Sequence, residues 1–506
     1  MARYKHYNYS QRVLLPVSLE EQLIPGTLEF AIHTLVEARL NTSIFDCRHK
    51  NDETGCPAYN PKVLLKVVLL AYSRGITSSR KIERACRENV LFMALSCNQR
   101  PDHSTIAEFV SSMKDEIMPL FRDVLLVCEG MQLLGGTTFA LDGCKLPSNA
   151  STKWTGTFPD LKKKKEKIES KINKLLQDQI KADKQDSSGK EVLSPCSDID
   201  KQVEKLHRQA ARIEAFLKKN EPRTGTTGEV KSNITDNESA KMVTPHGTIQ
   251  GYNGQALVDS KHQVILHGDA FGSGQDHHLL PPIIDGAKEN LKALGHSEDY
   301  LRGKILTADT GYHSQTNLSR CEEEGLDAFI PDRDFRKRDP RFATQERHQP
   351  KQKLKFSLGD FQYDRSTDQY VCPGGKILRL KVKRCSQSRN LYRRYIAEAS
   401  DCQNCPIREK CISRKIARRK CLSVLIGADP SNLTKRMIEK IESERGQKVY
   451  PQRMAIVEPV FGNIRIQKRL DRFTLRGKLK VTIQWLFYCM VHNIGKIAAC
   501  GLVATG

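Results

Sequence analysis

Hydrophobic and polar positions follow three rhythms along this chain. From Pro57 to Phe121 the rhythm is helical, with Val63, Leu64, Val67, Val68 and Ala71 on one stripe. Ser78-Ser79-Arg80-Lys81-Ile82 reads as a cap followed by a short helix, and Pro101-Asp102-His103-Ser104-Thr105 opens another. Short helices around a Gly75 turn fit a DNA-reading helix-turn-helix and an ordinary helical bundle alike, because that motif has no strict sequence code. A second rhythm is helical but highly charged. Leu161 to Asp183 carries Ile168, Ile172, Leu175, Leu176 and Ile180 on one stripe, and Ile199, Val203, Leu206, Ala210, Ile213 and Leu217 form another. Ser187-Ser188-Gly189 and Ser194-Pro195 separate them, which predicts an antiparallel helical hairpin. Its Lys162 to Lys165 run reads as a solvated face, with DNA contact the sharper alternative.

The third rhythm is that of strands. Thr137 to Leu141 is an apolar, β-branched run that stops at Asp142-Gly143, and Lys304 to Ala308 stops at Asp309-Thr310-Gly311-Tyr312. Both predict a buried strand delivering one aspartate at a glycine turn. Thr224 to Gly228 reads as a flexible joint. Gln255 to Val258 and Gln263 to Leu266 predict a β-hairpin around Asp259 to His262. Asp276-His277-His278 opens a helix reaching Leu294; the three residues are candidate metal ligands, but adjacent histidines point different ways on a helix, so an N-cap aspartate with exposed histidines is the expected role. A helix from Ser314 to Glu324 and a strand Ala328 to Ile330 continue the alternation, so the core is α/β with a mixed sheet.

Composition adds a partner. The chain has 506 residues, more than one domain, and Lys plus Arg exceed Asp plus Glu by 82 to 59, a net charge of +23. Such an excess points to a polyanion, most often nucleic acid. Met1-Ala2-Arg3-Tyr4-Lys5 opens no apolar stretch of signal-peptide length. Val481 to Ala499 is apolar but carries His492 and Lys496, which predicts a buried amphipathic helix and not a membrane span. The expected location is the cytoplasm, in association with the nucleoid. Sixteen cysteines in such a chain read as metal ligands where they cluster, and six fall between 372 and 421. Cys402-x2-Cys405-x5-Cys411 with Cys372 ahead of Pro373-Gly374-Gly375 has the look of a four-thiolate zinc site, with Cys385 and Cys421 as spares.

A third acid completes the set. Tyr450-x2-Arg453-x4-Glu458-Pro459 precedes Arg465, Lys468, Arg469, Arg472, Arg476, Lys478 and Lys480. Proline suits the first turn of a helix, so Glu458 is expected near a helix N-terminus with Arg465 on its face and a basic helix following. Glu442, Glu444 and Asp471 compete with Glu458, and Asp236 and Asp259 compete with the two aspartates.

Together, Asp142 in Leu-Asp-Gly, Asp309 in Ala-Asp-x-Gly-Tyr-x-Ser and the Tyr450/Arg453/Glu458 group resemble the DDE-type bacterial insertion-sequence transposases, in the branch with a Tyr-Arg-Glu-Lys signature and a cysteine-bearing insert. Arg465 fills the signature's Lys position, and four residues rather than three separate Arg453 from Glu458. The resemblance implies a ribonuclease-H-like core over 131–331 and 426–506, an N-terminal helical DNA-binding domain over 1–130, a helical-hairpin insertion at 158–222 and a cysteine-rich insertion at 332–425. It implies Asp142, Asp309 and Glu458 holding two Mg²⁺ or Mn²⁺ ions, and Tyr450, Arg453, Arg465, Lys468, Arg469 and Arg472 on DNA. The activity it implies is hydrolysis at transposon ends followed by strand transfer, by a homodimer or larger assembly on double-stranded terminal repeats and target DNA. The rivals are a catalytically silent DNA-binding regulator and a metal-dependent nuclease that does not join strands.

Overall fold

The computed structural model describes residues 18–48, 58–185, 196–225, 228–245, 247–342, 358–364, 366–387, 390–412, 417–425 and 430–501, with single residues 344, 345 and 356 between them. Met1 to Lys5 and the Ser187-Ser188-Gly189 and Ser194-Pro195 breaks lie outside these residues. The chain divides into two compact units, 1–312 with 321–328 and 451–506, and 313–320 with 329–450.

The first unit opens with helices α1 (Leu28–Ala38), α2 (Pro61–Ser73), α3 (Ser79–Glu88), α4 (Val90–Leu95), α5 (His103–Ser111) and α6 (Ile117–Gly130). Asp102 caps α5 by accepting the Thr105 amide at 2.9 Å, whereas Ser78 makes no side-chain cap on α3. These helices belong to the same compact unit as the sheet. Strand β1 (Thr138–Pro147) follows, then α7 (Phe158–Gln185) and α8 (Cys196–Lys219). Phe158 at the start of α7 meets Phe216 at the end of α8, 6.1 Å between rings, so the two helices run antiparallel as their stripes predict. Ile172, Ala210 and Ile213 are buried between them, while Leu176 and Ile180 farther along are exposed. The expected joint at Thr224 to Gly228 is instead a small hairpin, with Arg223–Gly225 paired to Gly228–Val230.

The main sheet comprises β1, β2 (Ala240–Thr244), β3 (Gly247–Asp259), β4 (Ile265–Phe271), β5 (Ile305–Ala308) and β6 (Asp327–Phe329). Its order is β6-β5-β1-β3-β2, and β4 also pairs with β3. β1 is antiparallel to β3 and parallel to β5, so the sheet is mixed. The β3–β4 hairpin predicted at Asp259 to His262 is present and longer than its apolar runs. Helix α9 (Leu280–Ala293) links β4 to β5.

The second unit holds an antiparallel meander of β7 (Gln362–Asp364), β8 (Gln369–Val371), β9 (Ile377–Gln387), β10 (Asn390–Ala397) and β11 (Cys421–Leu425). Phe361, Tyr370, Leu378, Tyr395, Ala397, Cys411 and Leu422 form its core. Helices α10 (Pro430–Glu442) and α11 (Glu444–Val449) complete it.

The chain returns to the first unit with α12 (Gln452–Gly462), a π-helical segment Asn463–Gln467 and α13 (Lys478–Ala499). α13 is buried along most of its length. Among the described residues no helix is long and apolar enough to cross a membrane. Two polar groups of α13 bond the backbone of the β3–β4 hairpin. Asn493 accepts the Ile265 amide and donates to the Ile265 carbonyl, both at 2.9 Å, and Trp485 Nε1 donates to the Gln255 carbonyl at 2.8 Å. A Cβ at Gly268 would come 2.9 Å from that indole nitrogen, so glycine there lets the helix seat on the strand.

Candidate active site

Parallel pairing places the two aspartates together. β1 and β5 run in register from Thr138 beside Ile305 to Leu141 beside Ala308, and the next step sets Asp142 alongside Asp309. The expected turn at Asp142-Gly143 is absent: β1 continues to Pro147, and Asp142 and Gly143 pair with Ala256 and Gln255 of β3. The glycine is needed for room instead. A Cβ at Gly143 would collide with Gln255 Nε2 and lie 2.7 Å from Asn253 Oδ1. At Asp309 the expected turn is present, and Gly311 N donates to Asp309 Oδ1 at 2.7 Å.

Each Asp142 oxygen has one donor. Gly143 N donates to Oδ1 at 2.8 Å, and Arg453 Nη1 of α12 donates to Oδ2 at 2.7 Å. Burial pushes the Asp142 carboxyl up to about 6; Arg453 opposes that rise and the charge of Asp309 adds to it. Arg453, expected on DNA, is therefore an ion-pair partner of the first aspartate, with little of its side chain exposed.

The loop before α9 supplies a residue that the sequence reading placed elsewhere. α9 begins at Leu280, so Asp276 does not cap it. Its Oδ1 accepts from Asn253 Nδ2 at 2.6 Å and Gln255 Nε2 at 3.1 Å. Burial raises its pKa, and Asp309 adds to that rise against the hydrogen bonds and Lys145. Beneath the acids, buried Tyr312 donates to Gln255 Oε1, and burial together with Asp142, Asp276 and Asp309 holds its phenol well above the ordinary range. The sequence signals were the Asp276-His277-His278 run, weighed as ligands and set aside for a helix cap, and the Asn253/Gln255 pair, two amides two residues apart on a buried strand.

α12 differs from its expected form. It starts after Pro451, so Pro459 lies inside it and Glu458 is not near its N-terminus. Pro459 lacks the amide that would bond the Ala455 carbonyl, and Gln263 Nε2 donates to that carbonyl at 3.1 Å instead. Glu458 is exposed and, among the described residues, makes no hydrogen bond or ion pair. Arg465 lies in the π-helical segment, which breaks the regular spacing from Glu458. It is close enough to Cys144 to oppose the burial that pushes that thiol up to about 12.

No basic helix follows. Residues 468–477 are irregular. Lys468 is buried, contrary to its expected place on DNA, and burial beside Lys496 lowers its pKa to about 8. Arg469 and Arg472 are exposed, and Arg472 donates to the Ser148 carbonyl at 3.1 Å. Four of the five rival acids have other partners. Asp259 accepts the amides of Gly135, Gly136 and Lys261, and Asp236 accepts from Tyr252 and Gly477. In the second unit Glu442 pairs with Arg338 and Glu444 with Lys448.

Family models decide the class. One described as a transposase DDE domain matches residues 371–498, and one described as a transposase domain matches residues 17–112. The two matches indicate a DDE-type insertion-sequence transposase. No curated protein matches it. The first match covers Tyr450, Arg453, Glu458 and Arg465 of this transposase, so Asp142 and Asp309 rest on the geometry above.

In the second unit of the transposase, Tyr450 sets its ring edge-on to Phe335, 5.2 Å between centroids. Cys372, Cys402, Cys405 and Cys411 line one pocket, which Cys385 and Cys421 do not join. Burial raises the Cys411 thiol; Lys420 opposes this, and the other three cysteines add to it. Among the described residues, no group of three or more His, Cys, Asp or Glu side chains is arranged to hold a metal ion as it stands.

Proposed function

We propose that the transposase cleaves DNA at transposon ends and joins the freed 3′ ends to target DNA at one metal-dependent site, carried by Asp142, Asp309 and Glu458. The observation that carries this is the β1–β5 register, which sets two carboxylates side by side. The order β6-β5-β1-β3-β4, with β5 alone parallel to β1 among the strands paired with it, supports a ribonuclease-H-like core. The donors suit Mg²⁺ or Mn²⁺: they are hard oxygens, two of them on mutually repelling acids, and buried Asn253 Oδ1 beside them has no partner. When bound, such ions supply charge stabilisation and an activated nucleophile at the scissile phosphate.

The chain's own residues prepare that site. Gly143 N and Arg453 orient Asp142, and Gly311 N orients Asp309. Arg453 neutralises Asp142 until a cation takes over part of that role. Glu458 lies on the same helix as Arg453, with its side chain exposed. Exposed Arg465, Arg469 and Arg472 would meet phosphates, and the charge of +23 supplies affinity that falls with salt. The N-terminal helices would read terminal repeats, and two ends call for at least two copies. The four thiols that share a pocket in the second unit suit structural Zn²⁺ by softness and number.

The test is cleavage and strand transfer on a DNA fragment carrying the element's own ends, with Mg²⁺, comparing wild type with Glu458→Ala. Cleavage and joining should vanish while binding persists. A wild type that only binds makes the protein a regulator. Cleavage without joining makes it a nuclease, and a variant that still cleaves displaces Glu458 as the third acid.

A further inference from the structure

Asp276 stands apart from every sequence motif of the site, yet the fold brings it to Asp309. Gly311 is the hinge of that approach: a Cβ there would lie 2.9 Å from Asp309 Oδ1 and 3.0 Å from Asp276 Oδ2. Any other residue would wedge between the two acids. The neighbouring His277 ring faces the Gly311 carbonyl, with Nδ1 at 3.1 Å, and ties the same loop to the same turn.

The orientation of Asp276 is imposed from β3. Both amides, Asn253 Nδ2 and Gln255 Nε2, donate to its Oδ1, which leaves Oδ2 directed at Gly311 and Asp309. A carboxylate only accepts, so Asn253 must present its nitrogen to Asp276 and its oxygen away from it. That oxygen is buried, has no donor among the described residues and points at the space over Gly143, next to Asp142. A buried acceptor without a donor carries a desolvation cost that a cation or its bound water removes. Two carboxylates that converge across a glycine, with an orphaned amide oxygen nearby, make a coordination set for a hard divalent cation.

We propose that Asp276 is a cation-binding carboxylate of this site, supplying oxygen to the ion that Asp309 holds, with Asn253 and Gln255 fixing its direction. The proposal rests on the reading of Asp142 and Asp309 as metal ligands. It adds an acid from the loop ahead of α9, distinct from Glu458 on α12.

Asp276→Asn is a clean variant, because its Oδ1 can still accept from both amides and only the oxygen facing Asp309 becomes an NH₂. The full-length protein is titrated with Mn²⁺ alone, without DNA, and melted in EDTA. In EDTA the variant should melt at or above wild type, since one of two facing negative charges is gone. Its Mn²⁺ affinity should fall at least tenfold, as should that of Asp309→Asn. Asp276→Glu, which keeps the charge, should recover part of the affinity and serves if the Asn variant does not fold. Unchanged Mn²⁺ binding in Asp276→Asn beside lost binding in Asp309→Asn overturns the proposal and leaves Asp276 a support for Gln255. Unchanged binding in both overturns the proposal together with the metal reading of the two strand acids.

Discussion

Asp142 is the residue at which charge, burial and fold meet. Its folded pKa, about 6, is above its ordinary value near 4, so the proton is bound more tightly in the folded chain. The stabilisation this gives is complete below about pH 4 and is lost as pH rises through about 6. The metal-free protein should therefore lose on the order of 2–3 kcal/mol at this group between those limits. Asp142→Asn cannot ionise and should escape that loss. Urea unfolding in EDTA at pH 4.5 and pH 7 should show the variant gaining on wild type at the higher pH. A difference that does not change with pH would remove the like-charge and burial account. Legibility at this scale was uneven. Leu-Asp-Gly marked the aspartate but not its setting, because Asp-Gly in a strand and Asp-Gly in a turn are one dipeptide. The Gly143 vacancy filled by Gln255 lies 112 residues away in sequence and has no local signal.

Among elements, α13 shows how an apolar run becomes a scaffold. Its length and hydropathy predict burial, and its polar residues name the sites of contact. Asn493 imitates a neighbouring strand by bonding both backbone groups of Ile265, and Trp485 reaches the Gln255 carbonyl. Asn493→Leu would leave a buried amide and a buried carbonyl unpaired at the start of β4, a loss of roughly 2–5 kcal/mol. Chemical denaturation should report it. A cost under about 0.5 kcal/mol would mean that water or a shifted helix replaces both bonds. α12 teaches the reverse lesson. Pro459 pointed to a helix start, yet the helix begins at Gln452 because Pro451 already serves its first turn. The cost of a proline inside is reduced by Gln263, a residue on the β3–β4 hairpin.

At the scale of the whole molecule, two units of different construction share one chain. The first has a large core of helices on a mixed sheet. The second has a five-stranded meander over a small core, and its four cysteines lie at one pocket. A small core of this kind commonly needs a metal to hold it. Elemental analysis of purified protein should find about one zinc per chain, and Cys402→Ser with Cys405→Ser should lose it. Limited proteolysis of that variant should cut between residues 329 and 450 first and spare the first unit. Wild type that purifies without zinc and still resists cleavage between residues 329 and 450 would end the zinc reading.

The linear order of residues determined the class of this protein. Strand-length runs ending in acids, helical stripes, a thiolate cluster and a basic balance are local or additive properties, and each survives in the sequence unaided. Which acids meet is not local. Register places Asp142 beside Asp309, a glycine lets Asp276 approach, and an arginine thought to hold DNA pairs with an aspartate 311 residues away. Those pairings depend on strand alignment and on side-chain volume across the sheet, quantities that arise only when distant segments are packed together.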